Sequence, residues 1–416
     1  MIVEIPSIYI LNYTCYNLYI SEVSSMRIAI FTDAYEPYIS GVTTSIKMLK
    51  TALENMHHEV LIITANLKNN RFIYDENKKI IYIPGIKTGI YETRLTGIYS
   101  RKAMKIIKEW KPNIIHSQTE FGIGVFSRIV ARKLKIPVVH TYHTLYEDYV
   151  YYVTHGIFDN LGKKLAISIT KYFCDKKCDE LIVPTDKIKN LFIDKYHIKR
   201  NIHVIPSGID TDKFIRNDKM NKEIQKLKKK YKIKEHDFVI GSIGRVAKEK
   251  SLDVLLKNAS LLIKENKNFK VIIVGNGPDL DNLKELVKKL NIKDNVIFTG
   301  SVSYDLVPIY YHLFSVMVSF SKSETQGLTI IEALASSIPT ICIDDKSFRE
   351  MIEDQYNGYL ITSNEQFIER IYQLKNNLQL YSDMAINAKN SVHKYSKEVF
   401  AADVLKVYAK ALKNKY

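Results

Sequence analysis

The sequence has little of what staples a small fold. Its four cysteines (Cys15, Cys174, Cys178 and Cys342) are too few and too scattered over 416 residues for a disulfide framework. Cys174 and Cys178 have three residues between them, not the two of a redox motif, and a reducing compartment fits. Sixteen glycines and ten prolines exclude a collagen-like repeat, and 46% hydrophobic with 25% charged residues excludes disorder. No run reaches the roughly 18 uninterrupted apolar residues of a membrane-spanning helix. The first 25 residues are apolar and aromatic, yet Glu4, Pro6, Asn12, Asn17 and Glu22 interrupt them, and no basic stretch opens them as in a signal peptide. Met26-Arg27 opens the strand RIAIFT, so residues 1–25 are either upstream of the true start or an interfacial anchor, and both readings stay open.

Negative charge is the scarcer sign. Sixty-one Lys and Arg face 45 Asp and Glu, a net charge of +16, which points to an anionic partner. Residues 26–205 hold 28 bases against 17 acids and residues 206–416 hold 33 against 26, so the first half is the more basic. A single core stops growing at roughly 250–300 residues, which predicts two domains. Short β-branched runs alternate with helical stretches twice over: RIAIFT, a helix over 45–55, EVLIITA, KIIYIP, NIIHSQ, PVVHTYHT and ELIVPT, then FVIGSIGR, KVIIVGNG, NVIFTG, FSVMVSFS and TICIDD. The expected fold class is α/β, with two Rossmann-like doubly wound domains facing across a cleft, and ligands at the carboxyl ends of the strands. The expected boundaries are 26–206, 207–395 and a terminal helix over 396–416, with a lysine-rich solvated spacer helix over 219–234.

The segment Ser100 to Lys111 puts Arg101, Lys102, Lys105, Lys108 and Lys111 on one helical face and Ala103, Ile106, Ile107 and Trp110 on the other. A basic amphipathic helix of this kind packs its apolar face on the sheet while its cations attract an anionic leaflet, each by about 1 kcal/mol near the surface. Lys163, Lys164, Lys171, Lys176 and Lys177 extend the patch. No nucleic-acid recognition motif accompanies the charge.

The chemistry is clearest in the second half. Arg245 and Lys250, in GRVAKEK, lie where a strand gives way to a helix, so both cations reach towards a diphosphate at the helix start. Glu324 and Glu332, in SETQGLTIIEA, flank a glycine turn leading into a helix: the first accepts sugar hydroxyls, the second ribose hydroxyls, and the N–H groups of Gly327, Leu328 and Thr329 face phosphate or sugar. Gly275, in GNGP, permits close backbone approach to a nucleotide or serves a tight turn. The pairs Asp210 with Asp212 and Asp279 with Asp281 match Asp-x-Asp, a pattern that chance supplies about once in a chain this long.

The second half resembles the C-terminal domain of the retaining GT-B glycosyltransferases of family GT4 in GRVAKEK, VGNGP, FTGSVS and ETQGLTIIE. The first half is similar to the lipid-acceptor branch, the bacterial 1,2-diacylglycerol 3-glucosyltransferases, in FTDAYEPYISGVTTSI, IIHSQTEFGIG and HTYHTLYEDYVYY. Ser251 departs from this pattern at a place usually held by glycine. The resemblance implies Arg245 and Lys250 on the donor diphosphate, Glu324 on the donor hexose hydroxyls and Glu332 on the ribose, with Gln326 among the donor-binding residues. It also implies Gly41 as the loop glycine at the diphosphate, Val302 at the base through its backbone, and His143 beside the reacting sugar.

Glu120, at another strand end, is expected to line the acceptor pocket, and Tyr149, among Tyr142, Tyr146, Tyr151 and Tyr152, to sit at a membrane–water interface or, equally well, in a half-buried strand-to-helix connection. The expected reaction is transfer of glucose from UDP-glucose to the free hydroxyl of diacylglycerol with retention, without a metal or other cofactor. It is placed at the cytoplasmic face of the cell membrane, with no nucleic acid involved. A soluble or polysaccharide acceptor is the alternative. Glucose versus galactose, addition of a second sugar and oligomeric state are not legible.

Overall fold

Runs of β-branched and aromatic residues buried on both faces read as parallel strands, because such a strand leaves no polar side for water. β1 (Arg27–Thr32) is of this kind, with every residue after Arg27 buried. The computed structural model describes residues 25–38, 40–87, 94–146 and 159–415. Residues 1–24, Tyr149, Tyr151 and Tyr152 lie outside them.

The first sheet adds β2 (Glu59–Ala65), β3 (Ile73–Asp75), β4 (Ile80–Ile83), β7 (Ile114–Ser117), β8 (Val138–Thr141), β9 (Glu180–Val183) and β10 (Ile202–Val204), with β5 (Gly85–Lys87) and β6 (Arg94–Thr96) forming a separate hairpin. Its order is β10-β9-β8-β7-β1-β2-β4-β3, parallel from β9 to β4, with β3 antiparallel at the edge. The second sheet comprises β11 (Phe238–Ile243), β12 (Phe269–Val274), β13 (Val296–Gly300), β14 (Val316–Ser319), β15 (Thr340–Ile343) and β16 (Gly358–Ile361). It is wholly parallel in the order β13-β12-β11-β14-β15-β16, the doubly wound order whose direction reverses between β11 and β14. Loops leaving those two strands open on the same crevice.

Two compact units result. Of the described residues, the first contains those up to Tyr142, Ile169–Ile182 and those from Val404 on; the second contains those between His143 and Ser168 and Val183–Asp403. Packing therefore does not follow the contiguous boundary expected at residue 206. The expected helix over 45–55 begins earlier, at Gly41, because Ser40 caps it: the Thr43 N–H donates to Ser40 Oγ at 3.2 Å.

The lysine-rich helix runs Asp218–Lys230 and is no solvated spacer. Ile224 is fully buried, and Met220 and Leu227, one turn either side, pack on the core of the second unit. The terminal helix runs Lys397–Lys413. In the first unit its Tyr408 hydroxyl lies 2.6 Å from Nδ1 of the buried His116, whose Nε2 is 2.7 Å from Thr141 Oγ1. Among the described residues no helix is long and apolar enough to cross a membrane.

Candidate functional site

At the switch point of the second sheet, three strand-end turns are stitched into one rim. The Gly244 N–H donates to Val274 O (2.9 Å), the Val246 N–H to Asn276 O (3.0 Å) and the Gly275 N–H to Gly300 O (3.0 Å). Gly275 has φ +138°, and a Cβ there would sit 1.8 Å from Gly244 O, so the glycine is required by packing of turn on turn. A Cβ on Gly244 would meet nothing within 4 Å, so the open side of the rim is at Gly244. Arg245 leaves this rim, its guanidinium 3.7 Å from Glu249, and a short 3-10 turn (Lys248–Lys250) carries Lys250 forward. Ser251 follows with φ +50°, the left-handed conformation that explains glycine's usual place there.

The loop leaving β14 carries Glu324 to meet it. Lys250 Nζ lies 2.5 Å from Glu324 Oε1, so the cation expected on the diphosphate and the carboxylate expected on the sugar hold each other. Burial pushes the Glu324 carboxyl up, but the Lys250 charge and hydrogen bond, with Ser321 and Lys187, outweigh it and hold the group below its usual range. A carboxylate kept ionised beside a cation is equipped to accept hydroxyl hydrogen bonds.

Further along, Gly327 (φ +90°) opens the helix Leu328–Ala335 and leaves Leu328 and Thr329 half-buried at its N-terminus. Glu332, one turn in, is 5% exposed. Tyr311 donates to its Oε2 at 2.8 Å, and burial, offset in part by Tyr311 and Tyr304, pushes its carboxyl up to about 7. Gln326 departs from expectation: its side chain is buried and spans both backbone groups of Ser207, accepting from the N–H at 2.9 Å and donating to the carbonyl at 3.0 Å. It braces the loop through these two bonds. Val302 is half-buried against the core beyond Gly300. His143 is half-buried past the end of β8, and Thr325 Oγ1 donates to its carbonyl at 2.9 Å, tying it to the residue next to Glu324.

In the first unit, Gly41 is exposed at the first turn of a 15-residue helix, where backbone N–H groups point outward. Glu120 does not line a solvent-facing pocket. It is 4% exposed, with Oε1 2.9 Å from His140 Nε2, while His140 Nδ1 is 3.0 Å from Ser117 O. A carbonyl only accepts, so Nδ1 carries a hydrogen, and the Nε2–Glu120 contact needs one further proton shared by the pair.

Glu120, His140 and Cys174 offer donor atoms within 4.8 Å of one another. The buried Arg128 guanidinium already stands beside them, donating to Lys177 O at 3.0 Å and stacking 4.8 Å over Phe173, and would repel a metal cation. The Asp-x-Asp pairs hold lysines and a helix end: Asp210 pairs with Lys397 at 2.7 Å and Asp281 with Lys284 at 3.2 Å. Arg101, Lys102, Lys105 and Lys108 are exposed on the helix Arg101–Trp110, whose Ala103 and Ile107 are buried. Tyr142 is fully buried in the core and not at an interface.

Lys187, Thr185 and Ser347, which contact the Glu324 loop, and Asp345, which holds Lys187, carry no motif in the sequence. Their one signal was position after the strands ELIVPT and TICIDD.

The family described as Glycosyltransferase Family 4 matches residues 39–213, and that described as Glycosyl transferases group 1 matches residues 223–391. An alpha-monoglucosyldiacylglycerol synthase of Streptococcus pneumoniae is 38% identical over 340 residues, covering 80% of this chain and 75% of that protein. Another, of Acholeplasma laidlawii, is 34% identical over 389 residues, covering 92% and 96%. Among solved structures, a sucrose-phosphate synthase of Thermosynechococcus elongatus matches with a TM-score of 0.73 at 17% identity, over 94% of this chain and all of that one (100%). An Anabaena protein crystallised with UDP and glucose matches at 0.67 and 17%, over 92% and 99%. With both family matches falling on the two sheets built above, the chain belongs to the retaining GT-B glycosyltransferases of family 4 and is a hexosyltransferase.

Proposed function

We propose that this enzyme transfers glucose from UDP-glucose to the free hydroxyl of 1,2-diacylglycerol, giving monoglucosyldiacylglycerol with the α-configuration retained. The observation that carries the acceptor is the likeness, at 38% and 34% identity over most of the chain, to two proteins named alpha-monoglucosyldiacylglycerol synthase. In the reaction the bond from sugar C1 to the diphosphate oxygen breaks, a bond from C1 to the glycerol oxygen forms on the same face, and the hydroxyl proton passes to the departing phosphate oxygen. Arg245 and Lys250 stabilise the charge developing on that oxygen, Glu324 holds the hexose hydroxyls and Glu332 the ribose. Two fixed cations take the part of a divalent ion, so transfer continues in excess EDTA.

The enzyme works as a peripheral protein at the inner, cytoplasmic face of the cell membrane. The exposed Arg101, Lys102, Lys105 and Lys108 supply the attraction to anionic lipid. Incubation with anionic diacylglycerol vesicles and a panel of nucleotide sugars, with products identified by mass and linkage, tests the reading. Monoglucosyldiacylglycerol formed from UDP-glucose is expected, and Glu324→Ala should abolish it. Absence of vesicle binding together with glucosylation of a soluble acceptor would replace the lipid reading.

A further inference from the structure

The loop that presents Glu324 runs from Ser321 to Gln326 without helix or strand, so no ladder of backbone bonds sets its place. Side chains from distant segments do so instead. Ser347 Oγ donates to Glu324 O at 2.6 Å and Thr185 Oγ1 to Thr325 O at 2.9 Å. Between them lies Lys187, in the first turn of the helix Asp186–Asp194. Its ammonium reaches Lys322 O at 3.3 Å, Glu324 O at 3.4 Å and Asp345 Oδ1 at 2.8 Å. An ammonium has three hydrogens, and these three acceptors account for all of them, so Lys187 has none left for a substrate phosphate. Two of the three are carbonyls of the loop itself, and the third is a carboxylate that fixes the ammonium from the other side.

Resting on the donor-site reading above, we propose that Lys187, anchored by Asp345, is a positioning residue for Glu324: it sets the backbone from which that carboxylate meets the donor sugar. The interaction is with the main chain at Glu324, so its loss displaces the carboxylate without removing it. A shift of about 1 Å at a reacting centre costs on the order of 100-fold in rate. Nucleotide binding also draws on Arg245, the strand-end turns and Glu332, so it changes far less than the rate.

The test compares Lys187→Met, Lys187→Arg, Glu324→Gln and the double variant Lys187→Met/Glu324→Gln, reading kcat and KM for UDP-glucose and, separately, Kd for UDP. Lys187→Met is expected to lower kcat/KM at least tenfold while Kd for UDP stays within twofold. Lys187→Arg should recover part of the loss, and the double variant should be no worse than Glu324→Gln alone, because both act through one carboxylate. If Lys187→Met does not fold, Asp345→Asn serves, with a smaller loss in the same parameter and the same unchanged Kd.

Wild-type kcat/KM in Lys187→Met, a parallel loss of UDP binding, or additive losses in the double variant would overturn the positioning role while Glu324 stays in place. An unimpaired Glu324→Gln would instead remove the donor-site reading itself, and the role of Lys187 with it.

Discussion

Lys250 Nζ and Glu324 Oε1 stand 2.5 Å apart at the switch point of the second sheet, so two groups assigned to different parts of one donor are a single charged unit. Either partner alone would face the site uncompensated. Lys250→Met is expected to reduce transfer about 100-fold, the usual effect of deleting one group that stabilises a developing oxyanion. The variant also frees the Glu324 carboxyl to take up a proton at higher pH. Steady-state rates across pH 5–8 check both effects, and a pH profile matching the wild type would show that the pair is not coupled.

Glu332 gives a pH-dependent stability with a definite sign. Burial raises its folded pKa to about 7 from the ordinary carboxyl value of about 4.5, so the folded protein binds the extra proton between these values. The contribution is complete below about 4.5 and is lost as pH rises through 7, amounting to about 3 kcal/mol. Replacing Glu332 with Gln should flatten the fall in urea midpoint between pH 5 and pH 8. Equal slopes for variant and wild type would show that Glu332 does not titrate in this range.

Much of the scaffold was legible. Eleven runs read as strands are strands, because each is a short β-branched stretch, buried on both faces in all but the edge strand Val296–Gly300. The edge strand Ile73–Asp75 and the hairpin Gly85–Lys87 with Arg94–Thr96 are three residues long and partly exposed, and Gly358–Ile361 opens on glycine, so none shows such a run. Pairing of Lys250 with Glu324 was hidden because residues 74 apart meet only through sheet order. Gln326 read as a donor ligand because a polar residue beside a turn glycine carries no mark of facing inward. Glu120 misled in the same way: its partner His140 lies on a neighbouring strand.

Ser251 holds a left-handed φ of +50° with a Cβ attached. Ser251→Gly is expected to raise stability by about 0.5–1 kcal/mol. Denaturant unfolding checks it: the midpoint should move up with the slope unchanged.

Gly275 is the opposite case. A methyl group 1.8 Å from Gly244 O forces the strand-end turns apart. Gly275→Ala should cost more than about 2 kcal/mol and weaken UDP binding together with it. Thermal melting and calorimetric titration measure the two, and a stable variant with intact affinity would show that the rim tolerates separation.

His116 in the first sheet is capped by Tyr408, 292 residues later. During synthesis a ribosome delivers β1 to β9 long before this phenol exists, so for most of translation the imidazole has one partner missing. The first unit therefore gains its full set of contacts only once the residues from Val404 on have been made.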